Sequence, residues 1–247
     1  MGTSTRMPTG VSGQPNWSNL SATITKACDG KPTSSPKLKK IVGGFVKAIG
    51  GASMAGRGKS PAVGKAGIYS GKRIAGFFSG VSQQGFQEAL QETGLDNLEE
   101  KSAQEVVNHL LDYCAENAGT VDEVAARAAT ADLFAELFGE NEEIKDLESA
   151  IMDKLDSEGL NDILINFFTL YIYVHLSTRF EEKLEQAKST QHCNKLFKEI
   201  KDLIFEDVKA ISRRKGLDKI DWQGKEGDRI IKDIFEDILK IYEGHED

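Results

Sequence analysis

Residues 120–139, TVDEVAARAATADLFAELFG, read as one complete helix. Thr120 followed three residues later by Glu123 is a capping box, in which the two residues satisfy backbone N–H groups that a helix start leaves open. Val121, Val124, Ala125, Ala128, Leu133, Phe134, Leu137 and Phe138 then recur at helical spacing, and Gly139 supplies the stop.

The same pattern holds on either side. Ser102 precedes a helix with Val106, Val107, Leu110, Leu111 and Cys114 on one face. Downstream, Ile144, Leu147, Ile151 and Leu155 mark a short helix closed by Gly159. A long helix over about 160–188 follows, apolar nearly all round in its front half, which places it at the centre of a bundle. Two more helices are expected over about 192–214 and 228–243, with Trp222 in the loop between them. No strand pattern appears. The fold class expected is all-α, a helical bundle with an extended N-terminal tail and a basic, glycine-rich segment.

The first third of the chain has a different character. Residues 1–36 hold four of the five prolines and many Ser, Thr and Gly, so they read as an extended or disordered tail with Trp17 and Leu20 as anchors. Residues 37–85 are basic and contain half of the 24 glycines. Short helical pieces are expected there, because Ile41, Phe45 and Ile49, and later Ile74, Phe77, Phe78 and Val81, keep helical spacing. Gly67-x-x-x-Gly71 and Gly76-x-x-x-Gly80 put small residues on one face, which allows close backbone approach. Each glycine also costs about 1 kcal/mol of helix stability, so the segment needs a partner surface to order fully. Residues 86–247 form the expected acidic helical domain.

Charge follows the same division. Residues 1–80 hold 12 Lys and Arg against one acid, Asp29, and residues 81–247 hold 19 against 38. The net charge of −8 therefore hides a positive third and a strongly negative remainder. The cations of interest are Lys37, Lys39, Lys40, Lys47, Arg57, Lys59, Lys65, Lys72 and Arg73. They can dock on the acidic helices of the same chain or on an acidic partner. The alternative is direct contact with nucleic acid, since phosphate neutralisation needs little beyond such charge.

Other function classes find little support. The most apolar stretch, Ile163–Leu176, is too short for a membrane span, which needs about 20 residues. No apolar core of a signal peptide stands near the start. Cys28, Cys114 and Cys193 are far apart and form no C-x-x-C pair, which fits reduced thiols in a cytoplasmic protein. Gly58-Lys59-Ser60 looks like the end of a phosphate-binding loop, but Ser53 stands where the first glycine belongs and Pro61 follows. His192-Cys193 lacks the spacing of metal ligands, and His175 on an apolar helix reads as a satisfied core histidine. Acid pairs such as Glu142-Glu143 read as solvated helix faces. No nucleophile–base constellation emerges, so no catalytic residue, metal or cofactor is expected.

The first residues, Met1-Gly2-Thr3-Ser4-Thr5-Arg6, are the most suggestive. Removal of Met1 would leave a free, unhindered glycine amine on a polar arm. Arg6 stands where N-myristoylation requires Ser or Thr. This start, the Pro/Gly tail with Trp17, the basic stretch over Gly43–Gly80, and the runs FFSGV (77–81), GFQEAL (85–90) and GLDNL (94–98) together resemble the QatB family, helical components of the Qat anti-phage defence system. The Thr120–Leu137 helix with Arg127 fits too, so the resemblance covers about the first 140 residues. It implies encoded neighbours: an ATPase, a QueC-like enzyme and a TatD-like nuclease. QueC relatives adenylate a carboxylate in 7-deazaguanine chemistry and then receive an amine. The resemblance thus suggests that Gly2 supplies that amine, with Thr3, Ser4, Thr5 and Arg6 recognised in the enzyme's channel.

Overall fold

The computed structural model describes residues 15–28, 34–115, 119–139, 143–186, 190–208 and 220–245. Eleven α-helices and one 3-10 turn (Leu98–Glu100) make up the secondary structure of these residues, and no strand occurs among them. The expected all-α fold is what the chain adopts.

The centre is α9 (Leu160–Gln186). Ile163, Leu164, Phe167, Phe168, Leu170, Tyr171, Ile172 and Leu176 are all buried, as the lack of a polar face in its front half requires. Around it pack α7 (Val121–Phe138), α10 (Thr190–Val208), α4 (Lys65–Gln84) and α11 (Lys225–Lys240). The capping box at Thr120 forms as expected, Ser102 and Glu105 make a second one at the start of α6 (Ala103–Cys114), and Gly139 ends α7 at φ 56°. The helix α8 (Ile144–Ser157) lies against α7, α4 and α6.

The tail departs from expectation. Residues 15–28 form a helix, α1, where an extended or disordered segment was expected. Trp17, Leu20, Ser21, Ile24 and Cys28 fall at helical spacing and are buried, and Pro15 opens the helix at a position where its missing N–H costs nothing. The intervening Ser, Thr and Asn residues mask this stripe in the sequence. The helix α1 packs on α2 (Ser35–Ala48), and both reach α10.

The glycine-rich segment is also more regular than short pieces. After the five-residue α3 (Ala52–Gly56), α4 runs unbroken for 20 residues to Gly85, where α5 (Phe86–Glu92) begins. The surface it needs comes from its own chain. A Cβ on Gly67 would enter the Tyr171 ring, and one on Gly71 would lie 2.9 Å from Phe168 Cζ, so both glycines let α4 sit directly on α9. One buried apolar cluster runs through all three segments of the chain.

The cysteines also differ from expectation. Cys28 and Cys193 are disulfide-bonded across 165 residues, with their Cα atoms 4.7 Å apart, so the reading of three reduced thiols holds only for Cys114, which is free and buried. The pairing joins the end of α1 to the start of α10, a contact that sequence spacing cannot announce.

Candidate functional site

A dense polar arrangement lies where α4, α7 and α9 meet. Asp122 sits in the first turn of α7, but its carboxylate serves another helix. Its oxygens accept the backbone N–H groups of Gly64 (3.2 Å) and Ala66 (2.8 Å), at the start of α4. The carboxylate thereby satisfies donors that a helix N-terminus leaves open and meets the positive end of the α4 dipole. Gly64 holds φ 114°, a conformation that glycine adopts without strain.

From α9, Tyr171 donates its hydroxyl proton to Asp122 and accepts the Gly64 N–H at 2.8 Å. His175, one turn on, places Nε2 at 2.9 Å from the same carboxylate. Burial pushes the Asp122 pKa up, but the hydrogen bonds from His175, Ala66 and Tyr171 outweigh it and hold the group below the usual carboxylate value. Burial pushes His175 below its ordinary value despite the pull of Asp122, so it is the neutral imidazole that donates from Nε2. Tyr171 is raised well above a normal phenol, first by burial and then by the Asp122 charge. A further turn along, Arg179 lies 4.5 Å over the Trp17 ring and donates to the Ala62 carbonyl at 3.3 Å.

Tyr171, His175 and Arg179 thus form one polar stripe that ties α9 to α7, α4, the preceding loop and α1. The core-histidine reading of His175 holds. Its partners, Asp122, Tyr171 and Arg179, were not singled out in the sequence. The available signal was the four-residue spacing of three polar groups along an apolar helix. Tyr171 and His175 are fully buried, so the arrangement positions helices and presents no accessible nucleophile.

The expected site residues divide into three groups. Gly2, Thr3, Ser4, Thr5 and Arg6 lie outside the described residues. Trp17 is buried, edge-on to Phe45. Several cations are docked on the acidic helices: Lys39 on Asp207 at 3.0 Å, Arg57 on Glu236 at 2.7 Å and Asp233 at 3.2 Å, and Lys72 on Asp228 at 3.7 Å. Arg73 stacks over the rings of Tyr69 and Tyr113. Lys37, Lys40, Lys47, Lys59 and Lys65 are exposed.

The Gly58-Lys59-Ser60 stretch makes no phosphate cradle. The Ser60 hydroxyl donates to the Ile49 carbonyl at 2.6 Å, and the N–H groups of Gly64 and Ala66 are taken by Asp122. Thr93 and His109, 2.9 Å apart, look like a nucleophile and base, but the Thr93 hydroxyl gives its single proton to the Leu90 carbonyl. His109 must therefore be the donor. A groove of about 290 Å³ between α6, α7 and α8 is floored by Val107, Leu111, Phe134, Phe138 and Leu147, with no titratable group in its lining. Another, of about 420 Å³, is bounded by Phe86, Glu88, Leu98, Ile144 and Glu148. Among the described residues no three His, Cys, Asp or Glu side chains come together in a way that could hold a metal ion. No helix among them is long and apolar enough to cross a membrane.

Comparison with known proteins adds one match. A family described as Qat anti-phage system associated protein QatB matches residues 50–242. Neither the curated proteins nor the solved structures give a match. The matched span differs from the first 140 residues on which the resemblance was read. It takes in α3 to α11 and leaves out α1 and α2, so the C-terminal helices carry family character too. The chain belongs to the QatB family and is a component of an anti-phage defence system of the Qat type.

Proposed function

We propose that this chain acts in its defence system as a protein substrate and scaffold rather than as an enzyme. Gly2, freed of Met1, enters a QueC-like enzyme, and its amine receives a 7-deazaguanine group. Thr3, Ser4, Thr5 and Arg6 lie in the enzyme's channel and are recognised there, and the helical body stays outside. The observation that carries this reading is the family match, which puts the chain in the company of the Qat system. The anchoring of α1 through buried Trp17 agrees with it, since the residues ahead of Pro15 then leave from a fixed point on the body. The 13 residues from Gly2 to Gln14 can span at most about 45 Å, enough to reach a deep pocket from a docked body. The system's ATPase and TatD-like nuclease are further partners on this reading, and its place is the cytoplasm.

The test is mass spectrometry of the N-terminal peptide from the chain expressed with and without its QueC-like neighbour. A mass increment on Gly2 seen only with the enzyme, and lost in Gly2→Pro, is the expected result. An unmodified Gly2 under both conditions sinks the proposal. A second reading, a nucleic-acid adaptor that recruits the nuclease or ATPase, is favoured by the exposure of Lys37, Lys40, Lys59 and Lys65.

A further inference from the structure

We propose that the Cys28–Cys193 bond is a redox latch on α1, broken by a dithiol reductant and able to release the helix that carries the N-terminal arm. The inference stands on the packing of α1 and not on the fate of Gly2.

Two fastenings hold α1 at opposite ends. At its start, Trp17 is wedged between Phe45 and the Arg179 guanidinium. At its last residue, Cys28 is bonded to Cys193 of α10. Between them only Leu20, Ser21 and Ile24 are buried, and the helix lies mainly on α2, with lesser contacts to α10 and α9. Loss of the bond leaves a 14-residue helix whose apolar hold is one buried stripe and one stacked ring. Isolated helices of that length are marginal in water.

Both sulfurs are shielded: Cys28 is 4% exposed and Cys193 is fully buried. A reductant reaches them only when the last turn of α1 opens, so reduction and release reinforce each other. The exchange is balanced. A thiolate of the reductant attacks Sγ of Cys28, the Cys28–Cys193 bond breaks, and the Cys193 thiolate leaves and takes a proton. The second thiol of the reductant then displaces Cys28 from the mixed disulfide. Two electrons and two protons pass to the protein, and the reductant ends as a disulfide. The third cysteine does not interfere, because Cys114 is buried in α6 and its thiol is pushed far up by that burial. In a reducing compartment such a bond is expected to be transient or redox-sensing rather than permanent.

The experiment is hydrogen exchange on the full chain, kept either in oxidised glutathione or in dithiothreitol, with the cysteines of parallel samples mapped by rapid alkylation with excess maleimide in denaturant at neutral pH. In the oxidised sample Cys28 and Cys193 resist alkylation while Cys114 reacts. On reduction, exchange over residues 17–28 speeds up about tenfold or more while α9 is unchanged, a local release worth roughly 1.4 kcal/mol or more by the tenfold conversion. The Cys28→Ser chain exchanges at the fast rate in both buffers. Alkylation of Cys28 in the oxidised sample, equal α1 exchange in the two buffers, or a Cys28→Ser chain that still responds to dithiothreitol each overturns the latch.

Discussion

Asp122 illustrates how much rests on one side chain. An acid in the first turn of a helix is ordinary, because the helix start is positive, and nothing in that preference says that the carboxylate will cap a different helix 56 residues away. The consequence is a defined pH response. His175 is depressed by burial, so as pH falls the unfolded chain takes up this proton first, from the ordinary value of 6.5 downward. Stability present above that value is lost as the solution becomes more acid. Asp122, also depressed, adds its own loss only below the ordinary carboxylate value of 3.8. Both act in the same direction, each beginning at its own ordinary value. Thermal or urea unfolding followed from pH 7.5 to 5 is expected to show falling stability, with a limiting slope of at most about 1.4 kcal/mol per pH unit from this one proton. The His175→Gln variant is expected to be less stable at pH 7.5 and to lack this part of the slope. An unchanged slope in that variant would show that another group titrates.

Among the elements, α4 sets two pairs of glycines against each other. Gly67 and Gly71 are pressed on the Tyr171 and Phe168 rings, whereas a Cβ on Gly76 would find its nearest neighbour, Trp222 Cβ, at 3.8 Å. Gly67→Ala is therefore expected to destabilise by about 1–3 kcal/mol through forced displacement of a buried ring. Gly76→Ala is expected to stabilise by about 0.5–1 kcal/mol, because the helix loses a residue with excess backbone freedom. Opposite shifts of the urea midpoint test the pair, and a stabilising Gly67→Ala would mean that α4 does not sit on α9 as described. The repeated four-residue spacing could be read in the sequence, but not which pair makes the contact, since that depends on where α9 lies. Helix starts and stops were legible wherever the signal was local, at Ser102, Thr120 and Gly139. So was the central place of α9, which has no polar face in its front half to turn outward. The helix α1 was hidden because five buried residues are interleaved with Ser, Thr and Asn, whose composition resembles that of a loop. The Asp122 capping and the cysteine pair were hidden for another reason: both join positions far apart in the chain, and no local spacing encodes them.

Over the whole molecule the uneven charge becomes a fold-internal contact. The positive first third and the negative remainder are not two solvated bodies, since Lys39, Arg57 and Lys72 of the one already rest on Asp207, Asp233, Glu236 and Asp228 of the other. These partly exposed pairs are worth at most about 1 kcal/mol each, so their role is to orient α2, α3 and α4 on α10 and α11 rather than to supply stability. They also reduce what is left for phosphate. Of the five exposed lysines Lys47 already has an interaction within the chain. If only Lys37, Lys40, Lys59 and Lys65 meet a duplex, binding falls with salt at a slope no steeper than about −3.6, which is roughly a 150-fold loss between 50 and 200 mM salt. Engagement of all nine cations would give a slope near −8 by the same relation. Titration of labelled duplex DNA at several salt concentrations separates the cases. The expected outcome is weak binding with the shallow slope, abolished when those four lysines are changed together to Gln and kept when Lys39 and Lys72 are changed instead. A slope near −8 would require the docked cations to leave their carboxylates, and α2 to α4 to separate from the acidic helices when DNA binds.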